Sequence, residues 1–217
     1  MNITILVSSI EHPVNSYLEL WASKNGNKNN IEIVFSKNDL VGGDLLFLIS
    51  CSEIILKADR EKFSKALVLH ASDLPKGRGW NPHIWDIIHG AKKITLSLLE
   101  AEDKVDSGDI WQKTMITVPE TALHDEINKL IFEAEMALMD YAVKNFNEVV
   151  PLKQKPLDPE GSEGYWRKRT PEDSEIDIHK SIDEQFDLIR VSDPDRFPAF
   201  FVKNGKKFKL KVESIDG

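Results

Sequence analysis

The sequence predicts an α/β fold: a Rossmann-like, mainly parallel sheet with helices on both faces, followed by a small carboxyl-terminal helix and β-hairpin appendage. Short apolar segments alternate with segments of helical periodicity through the first half of the chain. The 217 residues, of which 41% are hydrophobic and 29% charged, suffice to bury a sizeable core. The last third of the chain adds one amphipathic segment and one Asn-Gly turn.

The predicted elements follow one another in a regular order. We expect strands where apolar residues alternate or run together, and helices where they recur every three to four residues. The predicted strands are residues 3–8, 31–35, 44–50, 66–70 and 94–99. The predicted helices are residues 15–22, 54–63, 82–89 and 120–146, and Gly90 ends the third of them. Together these elements make up a first domain, residues 1–148.

Residues 149–217 predict an appendage to this domain. Residues 150–170 are rich in proline, glycine and charge, which indicates a linker that crosses the surface. Residues 177–191 predict a helix that carries Ile182, Phe186 and Ile189 on one face. Asn204-Gly205 is a strong turn signal between two apolar runs, so residues 198–214 predict a hairpin.

Composition excludes several classes of function. The net charge of −8 argues against broad binding to a nucleic-acid backbone, although a local basic pocket stays possible. The single Cys51 excludes an intrachain disulfide and a zinc site built from cysteines, and we expect no metal. No apolar run approaches the ~18 residues of a membrane span, and the first residues predict a strand rather than a signal peptide. We therefore expect a cytoplasmic protein that binds neither membranes nor nucleic acid.

The strongest functional signal lies in residues 68–79 and 105–110. His70 ends a predicted strand, and ligands of such sheets bind outside the carboxyl ends of the strands. Asp106 lies in a tight Asp-Ser-Gly turn further along the chain. Taken alone, His70 would be read as a core histidine that is hydrogen-bonded to backbone. Asp106 alone would be read as an ordinary turn residue. Together they favour a general acid–base site in which the carboxylate orients the imidazole.

The order of these residues resembles the formyltransferases that use 10-formyltetrahydrofolate. Their signature reads Asn-x-His-x-Ser-x-Leu-Pro, then Arg-Gly, then Asp-x-Gly. The matching residues are His70, Ser72, Leu74, Pro75, Arg78, Gly79, Asp106 and Gly108. The resemblance implies a formyltransferase whose catalytic domain is residues 1–148 and whose formyl donor is 10-formyltetrahydrofolate. It also implies that a primary amine attacks the formyl carbon beside His70 and Asp106.

Val68 departs from this signature, because the family has an asparagine there. In the family, histidine and asparagine side chains donate hydrogen bonds to the oxyanion of the tetrahedral intermediate. Loss of one such donor typically costs ~100- to 1000-fold in rate. Either another side chain replaces the asparagine, with Asn81 and Ser72 as candidates, or His70 serves alone, or the protein is a poor catalyst. Asn81 is the predicted donor, and Ser72 is predicted to hold the loop and contact substrate.

The resemblance further implies where donor and acceptor bind. Segments after two strands would contact the pterin ring, through Ser52, Glu53, Ile54, Ile55, Asp103 and Val105. A plain strand-to-helix turn is the alternative for the first segment. The loop after His70 would bind the acceptor through Lys76, Arg78 and Trp80. Cations on glycine-flanked backbone suit a diphosphate or carboxylate, although a solvated loop explains them too. Trp80 would stack on a base or pack on the next helix.

Residues 165–173, Tyr-Trp-Arg-Lys-Arg-Thr-Pro-Glu-Asp, resemble the Arg-Arg-x-Pro-Glu-Asp segment of family members that modify nucleotide-linked amino sugars. This implies that Arg167 and Arg169 fold over the sugar-nucleotide site, or that the segment mediates contacts in a homodimer. The implied acceptor is a nucleotide-linked amino-deoxy sugar of surface-polysaccharide or nonulosonic (pseudaminic-type) acid synthesis. Two alternatives remain. One is a methionyl-tRNA formyltransferase-like enzyme, which the acidic chain and short tail oppose. The other is a weakly catalytic folate or nucleotide-sugar binding protein.

Overall fold

A six-stranded sheet is the centre of the computed structural model, which describes residues 1–156 and 165–215. In chain order the strands are β1 (Asn2–Val7), β2 (Asn30–Val34), β3 (Gly43–Ile49), β4 (Phe63–His70), β5 (Arg78–Gly79), β6 (Lys93–Glu100), β7 (Ile110–Thr117), β8 (Tyr165–Trp166), β9 (Ala199–Lys203) and β10 (Lys206–Leu210). The large sheet has the order β2-β1-β3-β4-β6-β7. The first four strands in this order are parallel to one another, whereas β6 pairs antiparallel with both β4 and β7. The predicted α/β fold with a mainly parallel sheet is confirmed.

The helices divide unequally between the two faces of the sheet. They are α1 (Asn15–Asn25), α2 (Lys57–Arg60), α3 (Pro82–Ile88), α4 (His124–Lys144) and α5 (Ile182–Arg190). Strand residues alternate between the faces, so that Ile5 and Phe47 share the main core with α1, α3 and α4. Leu6 and Leu46 belong to a second, smaller core. That second core also contains Leu40 and Ile55, and short helical turns cover it.

Two differences from the sequence prediction concern β7 and α2. Residues 110–117 form the edge strand β7, which we did not predict, because the polar run Gln112, Lys113 and Thr114 interrupts its apolar pattern. The helix predicted over residues 54–63 is wrong in extent: α2 has four residues, and Phe63 already begins β4. Ile54 and Leu56 are 72% and 57% exposed, so their spacing does not reflect a buried helix face. Neither difference alters the core.

The appendage packs on the first domain at several points. The predicted hairpin is present as β9 and β10, with Asn204 and Gly205 at positive φ in its turn. Helix α5 starts at Ile182 rather than residue 177, because Ser181 caps it by accepting the N–H of Glu184. Arg190, 3% exposed, donates to the carbonyls of residues 119 and 122. The division of the chain after residue 148 stays a prediction.

The predicted surface linker is partly ordered against the first domain. Leu152 bridges to Ile110 by two backbone hydrogen bonds. Strand β8 pairs with β5, and the rings of Trp166 and Trp85 stack with centroids 5.4 Å apart. Residues 157–164 of this segment lie outside the described part of the chain. Within residues 1–156 and 165–215, no helix is both long and apolar enough to span a bilayer.

Candidate active site

His70 ends β4 at the edge of the sheet where the parallel strands finish, and it is 8% exposed. Its Nε2 lies 2.9 Å from the carbonyl oxygen of Gly77, and its Nδ1 lies 3.5 Å from Asp106 Oδ1. Gly77 belongs to the loop that follows His70 in sequence. The loop therefore folds back on the histidine, and both ring nitrogens face protein oxygens.

Asp106 is fixed from three directions. Its backbone has φ +53°, a left-handed conformation that is uncommon for non-glycine residues and that aspartate tolerates better than most. The N–H of Gly79 donates to Asp106 Oδ2 at 2.9 Å, and Gln154 Nε2 donates to the carbonyl oxygens of Asp106 and Gly108. A side chain at Gly108 would place a Cβ only 1.8 Å from the Glu100 carbonyl oxygen. The Asp-Ser-Gly turn thus needs its glycine for close approach to β6.

His70 and Asp106 open into a cavity of about 1080 Å³, a volume suited to one or two small ligands. Most of the predicted site residues line it. They are His70, Asp106, Asn81, Ser52, Glu53, Ile54, Ile55, Asp103, Val105, Trp80 and Arg169. Residues far apart in sequence therefore meet in one cavity, and their roles there stay predictions.

Exposed apolar side chains form a shelf on one side of the cavity. Ile54, Leu56 and Val105 are 72%, 57% and 53% exposed and all line it. Such exposure is costly in water and is typical of a surface that a flat ligand covers. Buried Arg60 ties the two segments of the shelf together, because it donates to the Ile55 carbonyl and to Asp103, each at 2.6 Å. Sequence analysis missed Arg60, since an arginine in a charged run predicts a solvated residue.

The mouth of the cavity combines aromatic rings with cations. Tyr165 and Phe197 are 60% and 59% exposed and line it together with Lys168 and Arg169. Lys168 Nζ lies 4.7 Å from the centroid of the Trp80 ring. Arg169 donates to the Asp173 carbonyl oxygen and to a serine hydroxyl, while its shielded Nε has no hydrogen-bond partner among the described residues. This mouth can stack a planar ring and neutralise an anion.

A polar inner compartment lies at the α4 side of the cavity and was not predicted. It is lined by His12, His83, His124, Asn128, Phe132 and Glu135. Burial raises the pKa of Glu135 to about 8. Burial, and then the charges of His70 and His124, lower the pKa of His83 to about 3. Positions 124, 128 and 135 follow the spacing of the buried stripe of α4. Polar residues within that apolar stripe were therefore the sequence signal that could have predicted this compartment.

Val68 stands where the family has an oxyanion-binding asparagine, and Asn81 is the predicted replacement donor. Both residues line the cavity. Val68 pairs in register with Leu48 and packs in the cluster of Leu74 and Leu99. Asn81 is exposed at the start of α3, in a left-handed conformation with φ +47°. Its side chain makes no hydrogen bond within the described residues. The assignment of Asn81 as a donor stays a prediction.

Four predicted substrate-binding residues do not line this cavity. Ser72 is 1% exposed beneath the loop, and Lys76 is exposed outside the cavity. Arg167 forms a two-pronged ion pair with Asp173 on the surface. Because β5 pairs with β8, alternate residues of the loop point to opposite sides. Gly79 therefore faces the cavity, whereas its neighbour Arg78 faces away.

Arg78 lies in a separate basic hollow of about 500 Å³. It donates to Gln154 Oε1 at 2.8 Å, and Lys104, Lys153 and Lys155 line the same hollow. Gln154 also bonds the backbone of Asp106, so Arg78 supports the aspartate turn through one intervening side chain. The described residues contain no group of three or more side chains placed to hold a metal ion.

The formyl transferase family model matches residues 3–143, which contain both His70 and Asp106. This chain belongs to the formyl transferase family. The methionyl-tRNA formyltransferase of Rickettsia africae is 29% identical over 172 residues, or 78% of this chain and 55% of that protein. The chain spans about half the length of the curated formyltransferases it matches.

Solved structures of formyltransferases share the fold. Methionyl-tRNA formyltransferase from Clostridium thermocellum superposes with a TM-score of 0.77 at 26% identity, and each chain covers 100% of the other. A sugar N-formyltransferase from a Shewanella species gives 0.70 at 16% identity, covering 99% of this chain and 98% of that one. HypX from Aquifex aeolicus, in complex with tetrahydrofolic acid, gives 0.73 at 20% identity over 94% of this chain and 36% of its own.

Proposed function

We propose that this chain transfers a formyl group from 10-formyltetrahydrofolate to the amine of a nucleotide-linked amino-deoxy sugar. The observation that carries the proposal is the placement of aromatic rings and cations at the mouth of the cavity that His70 and Asp106 share. The product would enter surface-polysaccharide or nonulosonic acid synthesis in the cytoplasm. The alternative role of residues 165–170 is contact with a second copy in a homodimer.

The exposed apolar shelf supports a folate as the formyl donor. A pterin is a flat ring with polar edges, and Ile54 and Val105 offer apolar surface beside the backbone of residues 52–55. The solved relative that carries tetrahydrofolic acid has the same fold. The donor's formyl group would then extend from the shelf toward His70.

The His70–Asp106 pair supports the chemistry of transfer. The acceptor nitrogen forms a bond to the formyl carbon, the donor's carbon–nitrogen bond breaks, and one proton moves from the acceptor amine to the departing folate nitrogen. Asp106 is buried and fixed, so it can take that proton from the amine, directly or through His70. His70 must give up its hydrogen bond to Gly77 or turn Nδ1 away from Asp106 before it donates to the developing oxyanion.

The mouth supports a nucleotide-linked acceptor. Tyr165 and Phe197 present exposed rings on which a nucleobase can stack, and Lys168 and Arg169 suit a diphosphate. The cations are local on a chain of net charge −8. Such an arrangement favours one diphosphate over a long polynucleotide, which requires many phosphate contacts.

Methionyl-tRNA is the second candidate acceptor. The curated relatives at 27–29% identity carry the name methionyl-tRNA formyltransferase, and this observation favours it. The acidic charge opposes it. A weakly catalytic binding protein is a third reading, which Val68 supports because its side chain donates no hydrogen bond to an oxyanion.

A turnover assay tests the proposal. The purified full chain is given 10-formyltetrahydrofolate and, in parallel reactions, UDP- and dTDP-linked 3-amino and 4-amino sugars or methionyl-tRNA. We expect an N-formylated amino sugar in at least one reaction. Formylation of methionyl-tRNA without any sugar product would favour the second candidate, and folate binding without turnover would favour the third.

A further inference from the structure

The inner compartment contains a buried carboxyl group with one oxygen unsatisfied by the described part of the chain. Glu135 is 6% exposed and lines the cavity, and its Oε2 has no hydrogen-bond partner among the described residues. It belongs to the buried stripe of α4, where Ile131, Leu138 and Met139 are its neighbours. An unsatisfied polar group in a core lowers stability, and a leucine would fill this position without that cost. The carboxyl group therefore calls for a partner that residues 1–156 and 165–215 do not supply.

His83, a second residue of this lining, also has an unsatisfied polar atom. His83 Nδ1 is shielded from solvent and has no hydrogen-bond partner among the described residues. His12 lines the same cavity with its ring centroid 6.0 Å from that of Phe132 on α4, and its Nδ1 accepts the N–H of Val14 at 3.2 Å. A neutral His12 ring therefore carries its proton on Nε2. Two imidazole rings and one carboxyl group thus provide hydrogen-bond donors and acceptors around one space.

These three groups carry little charge at neutral pH. Burial, and then the charge of Arg196, lower the pKa of His12 to about 4, and the pKa of His83 lies at about 3. The pKa of Glu135 lies at about 8, so its carboxyl group is mostly protonated near pH 7. These three neutral donors and acceptors suit a neutral part of a ligand that carries hydroxyl or amide groups. A phosphate finds no cation among these three, and a thioether leaves all three unsatisfied.

The geometry points to the inner compartment as the binding site for the neutral, hydroxyl- or acetamido-bearing ring of the acceptor, with Glu135 and His83 as its specificity-determining hydrogen-bonding residues. This inference rests on the proposed function for the acceptor amine beside His70. It adds that the ring enters toward α4 while the diphosphate stays at the mouth with Arg169. Among nucleotide-linked amino sugars, we therefore expect the acceptor to carry neutral polar substituents near the reacting amine.

Calorimetric titration of the full chain tests this placement. The two probes are a dTDP-linked 4-amino-4,6-dideoxyhexose and dTDP alone. We expect the wild-type protein to bind the sugar nucleotide at least tenfold more tightly than dTDP. Glu135→Leu should abolish that difference and leave the affinity for dTDP unchanged, and Glu135→Gln should restore most of it, because an amide replaces the hydrogen bonds of a neutral acid.

Two controls separate binding from folding. Glu133→Leu changes an exposed carboxylate on the same helix and should leave both affinities as they are. Glu135→Leu should melt no lower than wild type, because it removes an unsatisfied buried group; a lower melting temperature would assign Glu135 a structural role and overturn the inference. An equal preference for the sugar nucleotide in wild type and Glu135→Leu would also overturn it.

The same titrations distinguish this inference from the proposed function. If wild type formylates the amino sugar and Glu135→Leu retains the binding preference, the compartment assignment fails and the function stands. If wild type binds the sugar nucleotide and dTDP equally and formylates no sugar, both the proposed function and the compartment assignment are wrong.

Discussion

His70 Nδ1 and Asp106 Oδ1 lie 3.5 Å apart, and the two side chains are 9% and 7% exposed. They come from the end of a parallel strand and from a turn beyond the antiparallel strand β6. The N–H of Gly79 holds the carboxylate from the other side. This arrangement joins the loop after β4 to the loop after β6, so the pair depends on both loops.

The pair should act as one unit in catalysis. His70→Ala and Asp106→Ala should each lower turnover by about 100-fold or more, the usual value of general acid–base help. The double variant should be little slower than either single variant, because residues that act together are non-additive. Steady-state kinetics on all three variants measure this. His179→Ala, at an exposed histidine, is the control; near-native turnover in both single variants would exclude the catalytic assignment.

Gly108 should be required for the position of Asp106. The Cβ of Gly108→Ala would lie 1.8 Å from the backbone oxygen of Glu100, so the turn must move. We expect a loss of stability of ~3 kcal/mol or more, at the upper end for overpacking, together with a loss of turnover. Gly90→Ala is the matched control: Gly90 has φ +87° but open space around it, and should cost about 1–2 kcal/mol through backbone strain alone. Denaturant titration and turnover of both variants test this; equal effects would contradict it.

The sequence predicted the proximity of His70 and Asp106 better than the residues around the mouth of the cavity. His70 and Asp106 lie in motifs with recognisable local chemistry, and their side chains lie 3.5 Å apart; their catalytic role stays a prediction. Arg78 and Gly79 show the limit, because β5–β8 pairing decides which neighbour faces the cavity and no local pattern predicts that pairing. Glu135 shows another limit: a carboxyl group within an apolar stripe becomes noticeable only once the helix face is known to be buried.

Arg169 should contribute to acceptor binding, and its neighbour Arg167 should not. Arg169 lines the mouth, whereas Arg167 pairs with Asp173 outside the cavity. Arg169→Ala should raise the KM for the sugar nucleotide about tenfold or more with a smaller effect on kcat, the pattern of lost uniform binding. Arg167→Ala is its matched control and should change the KM little. Steady-state kinetics at saturating folate measure both, and the reverse order would contradict the placement of the mouth.

Glu135 should make the stability of the protein depend on pH. Below its ordinary pKa of 4.5 the carboxyl group is protonated in both the folded and the unfolded chain. Between there and about 8, the unfolded chain releases the proton and the folded chain retains it, so stability falls as pH rises, by at most ~1.4 kcal/mol per pH unit.

Glu135→Gln removes this dependence. Its stability relative to wild type should therefore increase from pH 5 to pH 8, measured by denaturant unfolding at each pH. Glu133→Gln, on the exposed face of α4, should follow the wild-type profile. A constant difference between Glu135→Gln and wild type across that range would show that the carboxyl group is ionised in the folded protein.

Asn81 should replace the donor that Val68 does not supply. Its side chain lines the cavity and makes no hydrogen bond within the described residues. Asn81→Ala should lower kcat by ~100-fold, the usual effect of losing an oxyanion donor, and should raise the KM much less. Val68→Asn should be tolerated with only a small gain in kcat. A large gain in kcat for Val68→Asn, together with an unchanged kcat for Asn81→Ala, would show that the oxyanion lacks this hydrogen-bond donor in the protein.

The central claim is that the His70–Asp106 pair moves a formyl group from the folate to a sugar amine in this cavity. Single-turnover transfer of a ¹³C-labelled formyl group, followed by mass spectrometry of the nucleotide sugar, tests it most directly. We predict that wild type places the label on the sugar amine. His70→Ala should transfer it about 100-fold more slowly although it still binds the folate. Equal transfer rates in wild type and His70→Ala, or a wild-type protein that binds both ligands and transfers no label, would contradict the claim.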